Sequence, residues 1–309
     1  MIQTSRQLKD LVRNLSKSTG IEPHILIRKY MMERILERVS LSSYRNCFIV
    51  KGGMLVSDVV GISSRTTMDI DTTVKNLSVD IVELTKTVKQ ICSIHLEDNV
   101  DFKIEKVDKI MDDSEYPGLR FSIVAYLDRA KIPLKIDVST GDIITPHEIE
   151  YSYKLMFEDR AIQLMTYPIE TILAEKLETV ISRSVANTRM RDFYDIYMLL
   201  NEQFINPSVF ATALKNTANN RGSIDLLSHT DEILDAIYNS LEMEKAWTSY
   251  RNKHKYANKY QWHNILNSIN KLCKMANLAY FRDPNIQEIG HLDQTEKAKR
   301  QRTDDDLEI

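Results

Sequence analysis

The strongest constraint on this chain is a change of hydrophobic period part-way along it. Between residues 100 and 138, apolar and polar residues alternate through DFKIEKVDKI, LRFSIVAYLD and IPLKIDVST, the pattern of half-buried strands. Turns are expected at YPG and DRAK. After Pro168 the apolar positions fall at helical spacing, from IETILAEKLETVISR to LNSINKLCKMANLAY. Strands and helices so segregated predict an α+β chain, with a mixed sheet flanked by helices and then a helical domain. The β-rich part is expected to end near residue 145. The expected divisions are an α/β domain over 1–150, a helical domain over 151–285 and a polar tail over 286–309. Seven prolines and eight glycines in 309 residues leave few breakers, so helix should dominate.

Two amphipathic helices are expected first, over residues 4–18 and 23–40, with Gly20 stopping one and Pro23 starting the other. CFIVKGG (47–53) reads as a strand running into a glycine pair, and MLVSDVVG as a short helix. Residues 78–92 read as helix. A net charge of −3 excludes a global basic field, so any nucleic-acid surface must be local. Cys47, Cys92 and Cys273 have neither metal-ligand spacing nor an even framework, which fits a reducing cytoplasm. No apolar run approaches the ~18 residues of a membrane span, and no signal-peptide pattern opens the chain.

The chemistry starts at SSRTTMDIDTTV. Asp69 and Asp71 would share one face of a strand. Two carboxylates about 4 Å apart repel by roughly 4 kcal/mol at an effective dielectric of 20. A shared proton, a basic partner or a divalent cation would offset this, and Mg²⁺ suits carboxylate oxygens completed by water and phosphate. A solvated strand face is the plain alternative. The glycine pair adds weight, because Lys51-Gly52-Gly53 lies where a strand meets a helix, a place where backbone N–H groups can meet phosphate. Asp137, in LKIDVSTGD, is a candidate third acid for two-metal phosphoryl chemistry. Asp142 lies beyond a glycine turn and reads as a loop residue.

Two later helices carry charges on their apolar sides. On a helical wheel Lys176 falls inside the arc of Ile169, Ile172, Leu173, Leu177 and Val180, with Arg183 near it. Asp192 projects into the arc of Phe193, Ile196, Leu199 and Leu200, and Asp195 sits at its edge. A lysine pointing inward is uncommon unless it is paired or snorkels. For Lys176 a structural ion pair between domains and a cation aimed at triphosphate are both open; Asp192 could be the partner that fixes Lys176, a catalytic carboxylate, or both.

The order KGG, RTTMDID, KIDVSTGD, ILAEKLETVISR, RMRDFYDIYMLL resembles the AbiEii/AbiGii family, toxins of AbiE-type abortive-infection systems related to the MenT toxins. The resemblance runs from about Tyr30 to Leu200. It implies the polymerase-β-like nucleotidyltransferase fold, a nucleoside triphosphate donor, Mg²⁺ or Mn²⁺, and nucleotide transfer to the 3′ end of tRNA. Gly52 and Gly53 match the phosphate-holding motif, though Gly-Ser is frequent there in relatives. Asp69, Asp71 and, less regularly, Asp137 match the metal-binding acids. Lys176 matches the nucleotide-contacting lysine. Asp192 or Asp195 matches the last acid, Asp192 being favoured by its inward projection. Lys51, Arg65 and Arg183 complete the candidate nucleotide contacts. The resemblance further implies a cytoplasmic monomer, opposed by an AbiEi-type antitoxin that forms no stable complex with it.

For tRNA, TSYRNKHKYANKYQWH (248–263) offers Arg251, Lys253, Lys255 and Lys259 interleaved with Tyr250, Tyr256, Tyr260 and Trp262. Cations suit phosphate and aromatics suit bases, but a helical core needs the same aromatics. A protein acceptor, or a non-catalytic module binding GTP or RNA, is the alternative function.

Overall fold

The computed structural model describes residues 2–78, 80–110 and 118–278. The chain forms two compact units, Met1–Pro168 and Ile169–Ile309. No described helix is long and apolar enough to cross a membrane. The YPG turn falls partly outside the described residues. The tail over 286–309, with Lys297, Lys299, Arg300 and Arg302, falls wholly outside them.

The first unit opens with α1 (Ser5–Thr19) and α2 (Pro23–Leu41). Thr4 and Gln7 form a reciprocal capping box, and Gly20 closes α1 with a left-handed φ of 72°. Then come β1 (Phe48–Lys51), α3 (Gly52–Val59), β2 (Ile70–Val74), α4 (Ile81–Cys92), β3 (Val100–Ile110), β4 (Gly118–Leu127), β5 (Ala130–Ser139), β6 (Ile149–Lys154) and β7 (Ala161–Thr166). They build one seven-stranded mixed sheet in the order β3-β4-β5-β2-β1-β7-β6. The sheet therefore does not end near residue 145. β7 joins β1 in parallel and β6 pairs with β7, burying Tyr153, Ile162 and Leu164. Those two strands are short, so their alternation spans too few residues to stand out in the sequence.

Register separates the two faces of the sheet's centre. On β4, Leu119, Phe121, Ile123, Ala125 and Leu127 are buried, while the intervening residues are partly exposed. Ile136 on β5 lies opposite both Phe121 and Ile70, so the inward positions of three strands meet in the core. The positions beside them face the other way, because a one-residue step reverses the side chain.

α2 is buried on nearly every side, charges included. The Arg38 guanidinium donates to both carboxylate oxygens of Asp98, at 2.9 and 3.0 Å, and to the Val100 carbonyl at 2.7 Å. Glu37 accepts from Arg34 and Arg160. These pairs fasten the helix to the entry of β3 and to the β6–β7 turn.

The second unit contains α5 (Ile169–Arg183), α6 (Met190–Glu202), α7 (Pro207–Asn220), α8 (Thr230–Tyr238), α9 (Leu241–Lys253) and α10 (Trp262–Met275). Its described residues include no strand.

Candidate active site

The glycine pair and the carboxylates meet in the first unit. β1 ends at Lys51, and Gly52 takes a left-handed φ of 64°. A Cβ on Gly52 would lie 2.4 Å from Oδ2 of Asp71, so glycine is required there by both conformation and space. The Gly53 N–H donates to the same Oδ2 at 3.4 Å. A Cβ on Gly53 would lie 2.5 Å from the Thr67 hydroxyl and 3.2 Å from Nη2 of Arg65. That crowding accounts for glycine at this position.

Asp69 stands one residue before β2, so strand alternation is not what pairs it with Asp71. Burial pushes the Asp71 carboxyl above its ordinary range. Lys51 opposes this, the negative charges of Asp137 and Asp69 add to it, and the Gly53 N–H opposes it. Among the described residues neither Asp69 nor Asp71 has an ion-pair partner.

The neighbouring charges form a row. Lys51 lies opposite Asp71, Asp71 opposite Asp137, and Asp137 opposite Arg120. Directly opposed residues on adjacent strands share a face. Arg120 grips Asp137 with a fork, Nε to Oδ1 at 2.8 Å and Nη2 to Oδ2 at 2.6 Å. Asp142, which reads as a loop residue in the sequence, accepts from Lys51 Nζ at 2.6 Å and from Ser139 Oγ at 2.7 Å. Burial alone would raise the Asp142 carboxyl, but the Lys51 charge and these hydrogen bonds outweigh it and hold the group below its usual range. Arg65 is buried behind the glycine turn. Arg120 and Asp142 were not among the sequence candidates. The polar-face position of Arg120 in LRFSIVAYLD is a readable signal for it. Asp142 has no comparable local signal.

The other candidates lie in the helical unit. Lys176 Nζ is 2.7 Å from Asp192 Oδ1 and 2.8 Å from Asp195 Oδ2. Arg189 Nε is 2.9 Å from the second Asp192 oxygen. Burial would lower the Lys176 ammonium, but the two carboxylates outweigh it and raise it. Asp195 is the more deeply buried of the two acids, at 0% exposure against 5% for Asp192, so it is not an edge residue. Arg183 ends α5 and is exposed.

The family model described as "Nucleotidyl transferase AbiEii toxin, Type IV TA system" matches residues 34–268. The chain belongs to this family. The AbiEii match spans both units and every candidate residue named above. Among solved structures, JHP933 from Helicobacter pylori is similar over 83% of this chain and 95% of its own, at 14% identity and a TM-score of 0.46. A putative nucleotidyltransferase from H. pylori covers 83% and 98%, at 16% identity and 0.45. An antigenic nucleotidyltransferase-like protein from Paracoccidioides brasiliensis covers 84% and 96%, at 13% identity and 0.30. These likenesses are too remote to carry residue roles. No curated protein matches.

The donors of this AbiEii chain suit a hard divalent cation with few protein ligands. Asp69 and Asp71 supply carboxylate oxygens, and Asp71 is held partly desolvated beside like charges, a condition that a cation relieves. Among the described residues no group of three or more His, Cys, Asp or Glu side chains is arranged to hold a metal. Two carboxylates completed by water and phosphate remain an ordinary Mg²⁺ set.

The aromatics of the 248–263 stretch pack against the helical unit's own rings, with Trp262 buried and Tyr250, Tyr256 and Tyr260 half-buried. Tyr194 has Tyr250, Tyr256 and Tyr260 around it at centroid distances of 6.2, 5.1 and 6.0 Å. Trp262 packs on Phe193 at 5.5 Å. Arg251 is tied to Gln261 at 2.6 Å. Lys253, Lys255 and Lys259 stay exposed.

Proposed function

We propose that this AbiEii-family chain is a metal-dependent nucleotidyltransferase toxin that modifies the 3′ acceptor end of tRNA and so blocks translation. The observation that supports this most directly is the Asp71 carboxylate set on the Gly52-Gly53 turn beside Asp69, with neither acid ion-paired among the described residues. Asp69 and Asp71 would hold Mg²⁺ or Mn²⁺, which when bound supplies charge neutralisation to the triphosphate. The glycine turn lets the backbone approach phosphate oxygens, and Lys51 adds a cation at its edge. In the reaction the oxygen of an acceptor hydroxyl bonds to the α-phosphorus of the nucleoside triphosphate and the hydroxyl proton is released to solvent. The bond to the β-phosphate oxygen breaks, and pyrophosphate leaves.

The family resemblance assigns nucleotide contact to Lys176 and a supporting carboxylate to Asp192 or Asp195. Exposed Lys253, Lys255 and Lys259 suit RNA phosphate, whereas base stacking by the neighbouring aromatics is not part of this reading because those rings already pack on Tyr194 and Phe193. A type IV system implies an antitoxin partner. We read the toxin as a cytoplasmic monomer that forms no stable complex with it.

The test is purified protein with total tRNA, Mg²⁺ and each α-labelled nucleoside triphosphate in turn, with Asp69→Ala as control. Label on tRNA from one nucleotide, absent in the variant, is the expected result. Label on protein in a lysate with none on tRNA would point to a protein acceptor. Binding of GTP or RNA without any transfer would point to a non-catalytic module.

A further inference from the structure

The third acid stands where a second metal ligand would be expected, yet its geometry serves another purpose. Both oxygens of Asp137 accept from the Arg120 fork, at 2.8 and 2.6 Å. Such a bidentate pair fixes the guanidinium plane as well as its position. The Arg120 side chain is 40% exposed, so the fork is anchored at one edge and open at the other. Nε and one Nη2 hydrogen are used. Among the described residues no acceptor meets Nη1. The same guanidinium also feels the charges of Asp69 and Asp71. The strand register places Arg120 two strands from Asp71 in the row Lys51, Asp71, Asp137, Arg120. The two acids at the centre of the row therefore have a fixed cation on each side.

We infer that Arg120 is a binding residue for the phosphate chain of the nucleoside triphosphate, and that Asp137 positions Arg120 instead of ligating metal. This rests on the nucleotidyl-transfer reading above. A planar fork with free N–H donors matches phosphate oxygens. An Asp137 whose two oxygens both accept from that fork would give up part of a charge-assisted pair to ligate a cation. Arg120 and Asp137 thus act as one unit, whereas Asp69 and Asp71 act as another.

The experiment separates the two units without using turnover. Mn²⁺ binding is measured by electron paramagnetic resonance, and inorganic tripolyphosphate binding by calorimetry in the presence of Mn²⁺. Tripolyphosphate carries no base, so the identity of the nucleotide is not needed. The full chain is compared with Arg120→Ala, Arg120→Lys, Asp137→Asn and Asp71→Asn. Arg120→Ala should bind tripolyphosphate about 10-fold or more weakly, the scale of a lost charge-assisted hydrogen bond, with Mn²⁺ binding unchanged. Asp137→Asn should behave likewise, and Asp71→Asn should lose Mn²⁺. Arg120→Lys keeps the charge but not the fork. It should show an intermediate loss, and it carries the test if alanine does not fold.

Unchanged tripolyphosphate binding in folded Arg120 variants would overturn the inference. So would loss of Mn²⁺ in Asp137→Asn, or a tRNA-binding defect with normal tripolyphosphate binding. If the unaltered protein binds neither Mn²⁺ nor tripolyphosphate, the nucleotidyl-transfer reading itself fails, an outcome distinct from failure at Arg120.

Discussion

The two charged clusters of this protein are built from the same residue types to opposite ends. In the helical unit, Lys176 and Arg189 match Asp192 and Asp195 within hydrogen-bond distance. That cluster is closed. On the sheet, Arg120 is given to Asp137 and Lys51 to Asp142, while Asp69 and Asp71 have no ion-pair partner among the described residues. That cluster is open. Breaking a closed cluster strands a buried charge, whereas an open one leaves repulsion for a ligand to relieve. Removing a charge should therefore have opposite effects on stability in the two places.

The largest expected effect is in the closed cluster. Lys176→Met leaves two buried carboxylates facing each other and should destabilise by about 3–5 kcal/mol, seen as a lower midpoint in chemical denaturation. An unchanged midpoint would show the cluster to be no structural device. Asp71→Asn should do the reverse. It removes a desolvated charge that burial, Asp137 and Asp69 all disfavour, and should stabilise by about 1 kcal/mol while abolishing Mn²⁺ binding. A fall in thermal midpoint in Asp71→Asn would break the contrast between the clusters.

Acid titration sharpens the comparison within the sheet. Asp71 has its folded pKa raised, so stability should increase as pH falls from neutral through that pKa towards the unfolded value of 3.8. Asp142 has its folded pKa lowered, so its contribution is present above 3.8 and is lost as pH falls further through the folded pKa. Denaturation midpoints against pH should lose the first phase in Asp71→Asn and the second in Asp142→Asn. The smallest effect concerns Cys273, a fully buried α10 thiol that burial pushes up to about 12. It should resist alkylation at pH 8 in the native chain and react only on opening. Faster labelling in Lys176→Met, with none in Asp71→Asn, would assign each cluster's energetics to its own unit.

Much of the candidate site is legible in the sequence because its signals are local. The glycine pair, the Asp69–Asp71 spacing and the inward phase of Lys176 and Asp192 each occupy a few consecutive residues. Asp69 is a partial exception, since it precedes β2 and acts on Asp71 through its charge without sharing the strand. The charges of α2 were not legible at all. Nothing local marks Arg38 as buried, because its partner Asp98 lies 60 positions away. The aromatics of 248–263 could serve a helical core or an RNA surface by composition, and only the structure shows them packed on Tyr194 and Phe193.

By itself, the sequence determined the switch from strand to helix period, the mixed α+β architecture and the residues available for phosphate and metal chemistry. These follow from local periodicity and from the side-chain inventory. Tertiary structure decided how those residues are partnered. It brought β6 and β7 into the sheet, joined Arg120 to Asp137 across 17 positions, and joined Lys51 to Asp142 across 91. Which acids are neutralised and which stay open depends on strand register and loop closure. Those are set by contacts between distant segments, and no local pattern encodes them.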